Sequence, residues 1–413
     1  MLNVEHFLPV IIACLPLLLG VVGKVSRMSF APFQAIGLMT IGGIGGGLAY
    51  MQSAFETDPS RMFLAVAVLL SGFCVIFPQK ETKHSSIHCA SIMIVLGLSL
   101  GALLNQGLLS RIFLSGLLVY AAVSLLQAKH RSPRAIITLL HIAVASIISL
   151  GSSFGGQTFQ ILVSLFLAMT FLPLTPFHLP FVSTVGSAKG PLSSFWIVVW
   201  LTLGLAELHM IQSSLTTEGL FPLHLLALGS AVYASLLCLG QQHYNQFVAS
   251  ATVAHVALIW GLIDVFPDFP GWGIPFGVTV AFVMSGLCIT FSFVRQRYGW
   301  QIFGKLPGLA SPMPRFGTVM ILLVSFAMLL PLFPTFSGLI PMTTVVTQDR
   351  GFTMMLITFV VVWLVGGWYF SQMLHQTAFG AARANIPYTD LRIPEIVAVS
   401  ALLLGATYSG VFH

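Results

Sequence analysis

The sequence predicts an all-α polytopic membrane protein with about fourteen transmembrane helices, and three observations carry that prediction. The 413 residues are 57% hydrophobic and 7% charged, with a mean hydropathy of +0.96, whereas a soluble domain carries roughly 25% charge. Apolar runs of the length needed to cross the hydrocarbon, roughly 17 to 25 residues, fall near 7-23, 31-50, 62-78, 87-104, 108-126, 134-152, 159-178, 191-211, 221-240, 246-266, 271-294, 315-346, 351-372 and 392-412. The basic residues then sort by loop. Lys24, Arg27, Lys80, Lys83, Lys129, Arg131, Arg134, Lys189, Arg295, Arg297, Lys305, Arg315, Arg383 and Arg392 follow odd-numbered helices, while Arg61, Arg111 and Arg350 follow even-numbered ones. Cytoplasmic loops collect Lys and Arg, so this bias places both termini on the non-cytoplasmic side of a prokaryotic cytoplasmic (inner) membrane.

Taken in order, the run from Phe7 to Gly23 lacks a small-residue cleavage site after it and reads as a retained helix rather than a signal peptide. The second helix holds Gly42, Gly43, Gly45, Gly46 and Gly47, small residues that allow close helix approach; a docking face for another subunit is the other reading. The seventh run is interrupted by Pro173, Pro176 and Pro180, three prolines in eight positions, each removing a backbone donor and clashing with the preceding turn. The helix must break or end there. At bilayer depth such a break needs neighbouring protein or a hydrated cavity to satisfy its carbonyls, and in transporters it often marks a conduction site. The twelfth run is interrupted likewise by Pro331, Pro334 and Pro341. Between helices eleven and twelve the segment from Arg295 to Arg315 contains Pro307, Pro312 and Pro314 and reads as a cytoplasmic surface segment.

The two interrupted helices are five apart. Five is odd, so repeats spanning helices 4 to 8 (87-211) and 9 to 13 (221-372) must be inverted relative to each other, a common transporter plan. The chain divides accordingly into N-terminal helices 1 to 3 (1-86), these two five-helix repeats, and a cytoplasmic segment with the last helix (373-413). No loop can house a soluble nucleotide or redox-cofactor module. Scattered basic residues in short loops exclude a nucleic-acid surface.

Ionisable residues inside hydrocarbon are costly and are candidates for function by default. Glu207 lies in the eighth helix, close enough to its end to be either a buried proton group or an interfacial anchor. His141, His178 and His255 lie in helix 6, at the end of the proline break and in helix 10, and imidazole can pass a proton between its two nitrogens. These four residues are the proton-path candidates, each with packing as its alternative; Pro173, Pro176, Pro180, Pro331 and Pro334 are the helix-break residues. His84 and His88 at a helix entrance lack an acidic third ligand, and Gln241 to Gln246 form a polar turn that can satisfy helix ends. Cys14, Cys74, Cys89, Cys238 and Cys288 lie in or beside apolar runs without CxxC spacing and read as small buried hydrophobes. No metal, cofactor or catalytic centre is expected in this chain; GxGxxG, Walker and HExxH motifs and a serine-histidine-acid arrangement in its expected context are missing from the sequence.

Five elements in order carry a family resemblance: Pro173-Leu-Thr-Pro176-Phe-His178-Leu-Pro180 with Gly190-Pro191, Ser250-Ala-Thr-Val-Ala-His255, Met313-Pro-Arg-Phe316, Phe336-Ser-Gly-Leu-Ile340 and Met373-Leu-His-Gln-Thr-Ala-Phe-Gly380. Over residues 105 to 412 the chain resembles the antiporter-like membrane subunits of proton-pumping NADH:quinone oxidoreductase, closest to subunit M. It resembles more distantly their relatives in membrane hydrogenases, cation/proton antiporters and inorganic-carbon uptake complexes. The resemblance implies fourteen helices, an inverted five-helix repeat and interrupted helices 7 and 12. It also implies an acid in helix 5, lysines in the helix 7 break and helix 8, and a lysine or glutamate in helix 12. Those places fall here at Ser115 or Gly116, Phe171, Gly204 and Met342, so all four charges are missing. The family histidine of helix 11 falls near Ser285, and His255 is retained.

Removing a lysine together with its partner acid removes the buried-charge penalty as well as the proton site. The expectation is therefore a non-enzymatic membrane subunit of a complex I-like or related energy-coupled assembly, structural or with a modified proton pathway. Its expected partners are other membrane and peripheral subunits and the bilayer. One alternative is an active proton- or cation-translocating subunit using Glu207 and the membrane histidines. Another is the membrane subunit of an inorganic-carbon pump. Glu207 lies one turn beyond Gly204 on the same helix face, with no basic partner evident in helices 7 or 12.

Overall fold

A computed structural model of the chain describes residues 4–55, 57–82, 85–127, 135–215, 217–263, 268–299, 302–331, 333–337 and 350–411. They form an all-helical bundle whose elements follow the apolar runs: α1 (Val4–Ser26), α2 (Phe30–Phe55), α3 (Pro59–Ile76), α4 (Ser85–Leu104), α5 (Gly107–Leu126), α6 (Ala135–Ser152), α7 (Gln157–Phe171), α8 (Leu179–Ser187), α9 (Leu192–Ile211), α10 (Thr217–Gly240), α11 (Tyr244–Leu262), α12 (Phe269–Tyr298), α13 (Pro314–Ala327), α14 (Pro334–Ser337), α15 (Arg350–Thr377) and α16 (Ile393–Val411). Eleven of the described helices are long and apolar enough to cross a membrane, and α7 and α13 are shorter apolar helices. Among the described residues the extended structure amounts to an isolated bridge between His243 and Ile302.

Local chemistry sets the ends. Asp58 caps α3 by accepting a bond from Ser60 N, with Pro59 at the first position where a missing N–H is harmless. Gly299 ends α12 with φ +75°, a left-handed cap that suits glycine. Past α13, Leu329 takes φ +51°, and the chain leaves the helix before Pro331. Pro341 and Met342 lie outside the described residues.

The central layer is α4, α9, α11 and α12, whose residues are buried on nearly every side. α9 packs against α12, α7, α3 and α4, while α1 lies along α4 and α16 along α12. The glycine cluster of α2 departs from the expectation of tight packing. A Cβ at Gly47 would meet Ile12 and one at Gly45 would touch Leu69, but Gly42, Gly43 and Gly46 face open space. The helix period explains the difference, because the buried stripe of α2 runs through Phe33, Gly37, Ile41, Ile44, Leu48 and Met51.

The segment after α12 is tied down more firmly than a surface loop. Gly308, Leu309 and Ala310 donate backbone bonds to Phe379, Thr377 and Ala378, and Phe303 N donates to Gln242 O. Asp390 accepts from Arg315 N and Phe316 N at the start of α13. Buried Glu395 accepts from Arg392 Nη2 at 2.8 Å and from Arg297 Nη2, joining α16 to the end of α12, while Arg392 also donates to Pro78 O at 3.0 Å. Charge-assisted pairs of this kind are worth roughly twice a neutral hydrogen bond.

Candidate functional site

The proline stretch ends α7 at Phe171, and α8 begins at Leu179 after seven intervening residues. Its freed carbonyls are satisfied by protein. Trp200 of α9 donates its indole N–H to Thr170 O at 2.9 Å, and Trp260 of α11 donates to Leu172 O at 3.1 Å. Leu174 N donates to Met169 O and Thr175 N to Ser230 Oγ at 2.8 Å. Thr175–Pro176 is a cis peptide. Phe171, fully buried, lies 5.0 Å from the Trp200 ring, and Trp200 in turn meets Phe181 and Trp196. Around Phe171 the break is packed with aromatic rings, while Thr170, Ser230 and His178 set buried polar groups along the rest of it.

Gly204 closes it from the other side. A Cβ at that position would lie 2.6 Å from Leu172 N and 2.8 Å from the Phe171 carbonyl carbon, so α9 meets the broken backbone directly. Neither atom is the free end of a side chain that could swing away. Gly204→Ala is expected to destabilise the detergent-purified protein by about 1–3 kcal/mol, the usual cost of overpacking, as a lowered thermal unfolding midpoint. An unchanged midpoint would mean that the helices separate readily at this contact.

Glu207 lies one turn further along α9 and is buried, 6% exposed. Its partner is Arg111 of α5, itself 8% exposed, with Nη1 donating to Glu207 Oε1 at 2.8 Å. The other Arg111 amino group donates to Ser164 Oγ of α7 at 2.9 Å. This corrects the assignment of Arg111 to a loop: it sits in the second turn of α5, and its buried guanidinium holds three helices together. The basic partner of Glu207 thus comes from α5 and not from helices 7 or 12. The detectable signal was that Arg111 falls inside the apolar run 108-126 and is therefore itself an embedded charge. Ser115, one turn on, bonds Ser146 O of α6 at 3.1 Å and carries no charge into the bundle.

Arg111 also lines a cavity of about 400 Å3 between the start of α5, the end of α6, the start of α7 and the end of α9, together with Arg61, Gln157 and Gln160. A second cavity, of about 600 Å3, lies among the ends of α10 and α15, the start of α11 and the segment at Ile302, lined by Gln241, Gln242, Gln372, Gln376 and Tyr369.

The histidines have separate settings. His141 is half-buried, stacked on Phe166 and edge-on to Phe177. Its Nε2 lies 3.0 Å from Thr170 Oγ1, whose own proton goes to Phe166 O, which makes the imidazole the donor. His255 is buried, with Nδ1 at 2.8 Å from Ala251 O and Nε2 at 2.7 Å from Ala327 O at the end of α13. A neutral imidazole can donate to only one of those carbonyls. His178 precedes α8 and meets the Tyr233 ring edge-on at 5.3 Å. Glu207, His141 and His255 bond to other partners and not to one another. Ser285 is fully buried. The described cysteines are free thiols, four buried and Cys14 half-buried. Among the described residues no three His, Cys, Asp or Glu side chains cluster as metal ligands; His84 lies outside them.

The fold has clear counterparts among solved structures. A chain of the respiratory complex I from Thermus thermophilus with bound NADH matches with a TM-score of 0.80 and 16% identity, covering 98% of this chain and 95% of that one. A chain of the same organism's complex with bound aureothin matches at 0.72 and 14% identity, covering 97% and 96%. A chain of the membrane-bound sulfane sulfur reductase, an archaeal respiratory membrane complex, matches at 0.76 and 13% identity, covering 98% of this chain and 76% of that one. At these identities the likeness is one of fold. No family model matches the sequence, and no curated protein does.

Proposed function

We propose that the chain is a non-catalytic membrane subunit of a complex I-like or related energy-coupled assembly, subunit M-like in architecture, in which the central proton path of the fold is closed. The observation that carries this reading is the contact at the helix 7 break. Phe171 and Gly204 stand where the resemblance implies lysines, and there the backbones of α7 and α9 touch while Trp200 and Trp260 occupy the freed carbonyls. A proton path needs water or titratable groups within hydrogen-bond reach. Aromatic rings and backbone fill that place.

The finer architecture is part of the proposal. Counting α7 with α8, and α13 with α14, as one interrupted segment each yields fourteen segments among the described residues. The contacts α4–α5, α5–α6, α6–α7, α7–α9 and α4–α9 recur as α10–α11, α11–α12, α12–α13, α13–α15 and α10–α15, which supports inverted repeats over 87-211 and 221-372. The two cavities support it too, since each includes the start of a repeat's second helix and the end of its fifth. On this plan 1-86 and 373-413 flank the repeats, and the loop charges place both termini outside a prokaryotic cytoplasmic membrane.

Membership of an assembly is tested by purifying the chain from its native membranes in mild detergent. It is expected to elute with stoichiometric membrane and peripheral subunits. Elution as a lone monodisperse chain would contradict the proposal.

A second reading, a translocating subunit with a rerouted path, draws on His255. Two carbonyls face its two nitrogens, so an added proton would satisfy both contacts at once. Glu207 is the matching acid on this reading, paired with Arg111 at 2.8 Å.

A further inference from the structure

A third cavity, of about 350 Å3, opens between the end of α1, the start of α4, the end of α5, α8 and the start of α9. It plays no part in the break or in the Arg111–Glu207 pair. Lys24 and Lys189 line it, and no carboxylate does. Lys24 Nζ lies 3.4 Å from the Tyr120 hydroxyl and 5.1 Å from its ring centroid, an arrangement that holds the ammonium at the cavity wall without neutralising it. Two further lining residues are buried with polar atoms that find no partner among the described residues: the indole N–H of Trp196, fully buried, and the hydroxyl of Thr184, 1% exposed. An indole nitrogen can only donate, and a buried unpaired donor costs about 1–3 kcal/mol. Two cations and a donor-only group without a neighbouring carboxylate are the complement of an oxyanion.

The cavity's position narrows the occupant. It lies at the membrane face that the basic loops mark as cytoplasmic, and its lining joins the two lysines to apolar side chains, Ile87 (40% exposed) and Leu192. We infer that this cavity binds the phosphate of an anionic phospholipid, with Lys24 and Lys189 as its counter-ions and Trp196 Nε1 as a hydrogen-bond donor. Basic pockets between transmembrane helices are a general means of holding such headgroups. This site would serve to anchor α1 against α4, α5 and α9, whether or not the chain conducts protons.

The test uses the full chain in neutral detergent, titrated with dioctanoyl phosphatidylglycerol, dioctanoyl phosphatidylcholine and inorganic phosphate. Saturable binding of the phosphatidylglycerol is expected, with Lys24→Gln/Lys189→Gln weakening it about thirtyfold, since each basic group near an anionic lipid contributes roughly a factor of five. Trp196→Phe, which removes only the donor half of the ring system, is expected to weaken it severalfold. Lys189→Gln alone changes an exposed side chain and keeps the test readable if the double variant folds poorly. Equal binding of the two lipids, or undiminished phosphatidylglycerol binding by the lysine variants, would overturn the site. Displacement of the lipid by an equal concentration of inorganic phosphate would overturn the lipid as its source.

Discussion

Glu207→Gln, made alone, is expected to destabilise the protein by about 3–5 kcal/mol, because it leaves the Arg111 guanidinium buried without its counter-charge. Arg111→Met is expected to cost a similar amount, stranding the carboxylate, whose Oε2 already finds no donor among the described residues. The double change Arg111→Met/Glu207→Leu should recover most of the loss, since apolar residues of similar volume can replace a buried pair at little net cost. Thermal unfolding of the four proteins in one detergent gives the comparison. Strong non-additivity is the predicted result, and two independent, additive losses would mean that the two side chains do not act on each other. The pair joins α5 to α9, and through Ser164 to α7, so its loss should loosen the first half of the bundle around the break.

That result bears on function because of where the charges sit. The resemblance implies an acid in helix 5 and lysines in helices 7 and 8. Here a base stands in α5, at the edge of a polar cavity, and the acid in α9, one turn beyond Gly204. Reversed and displaced, the pair retains a cross-helix ionic lock while the middle of the bundle is aromatic. The same economy holds at the other end of the chain, where Glu395 lies between Arg297 and Arg392.

Much of the helical framework was legible in the sequence, because a membrane helix announces itself through one local property, a long apolar run. The prolines at 173, 176 and 180 likewise marked the break, since proline acts on its own turn. What was not legible depends on residues brought together from afar. Arg111 and Glu207 are 96 positions apart, and a basic residue so near the start of an apolar run has the same local pattern as a loop charge. Gly204 could be aligned with a family lysine, yet its meeting with the Leu172 backbone is a property of two helices in contact. The two tryptophans that cap the break come from α9 and α11, and neither lies in the proline motif. The cavity between Lys24 and Lys189 draws on five helices, and no local pattern records it.

Proton flux decides whether the break is closed. The full chain would be reconstituted in sealed vesicles carrying a pH-sensitive dye, with a potassium diffusion potential applied across the membrane. With Phe171, Trp200 and Gly204 closing the break, acidification is expected at the rate of protein-free vesicles, and the stability-restored Arg111→Met/Glu207→Leu should leave that rate unchanged. Flux well above the protein-free rate, lost in that double variant or on replacement of His255, would contradict a closed path and establish the rerouted one.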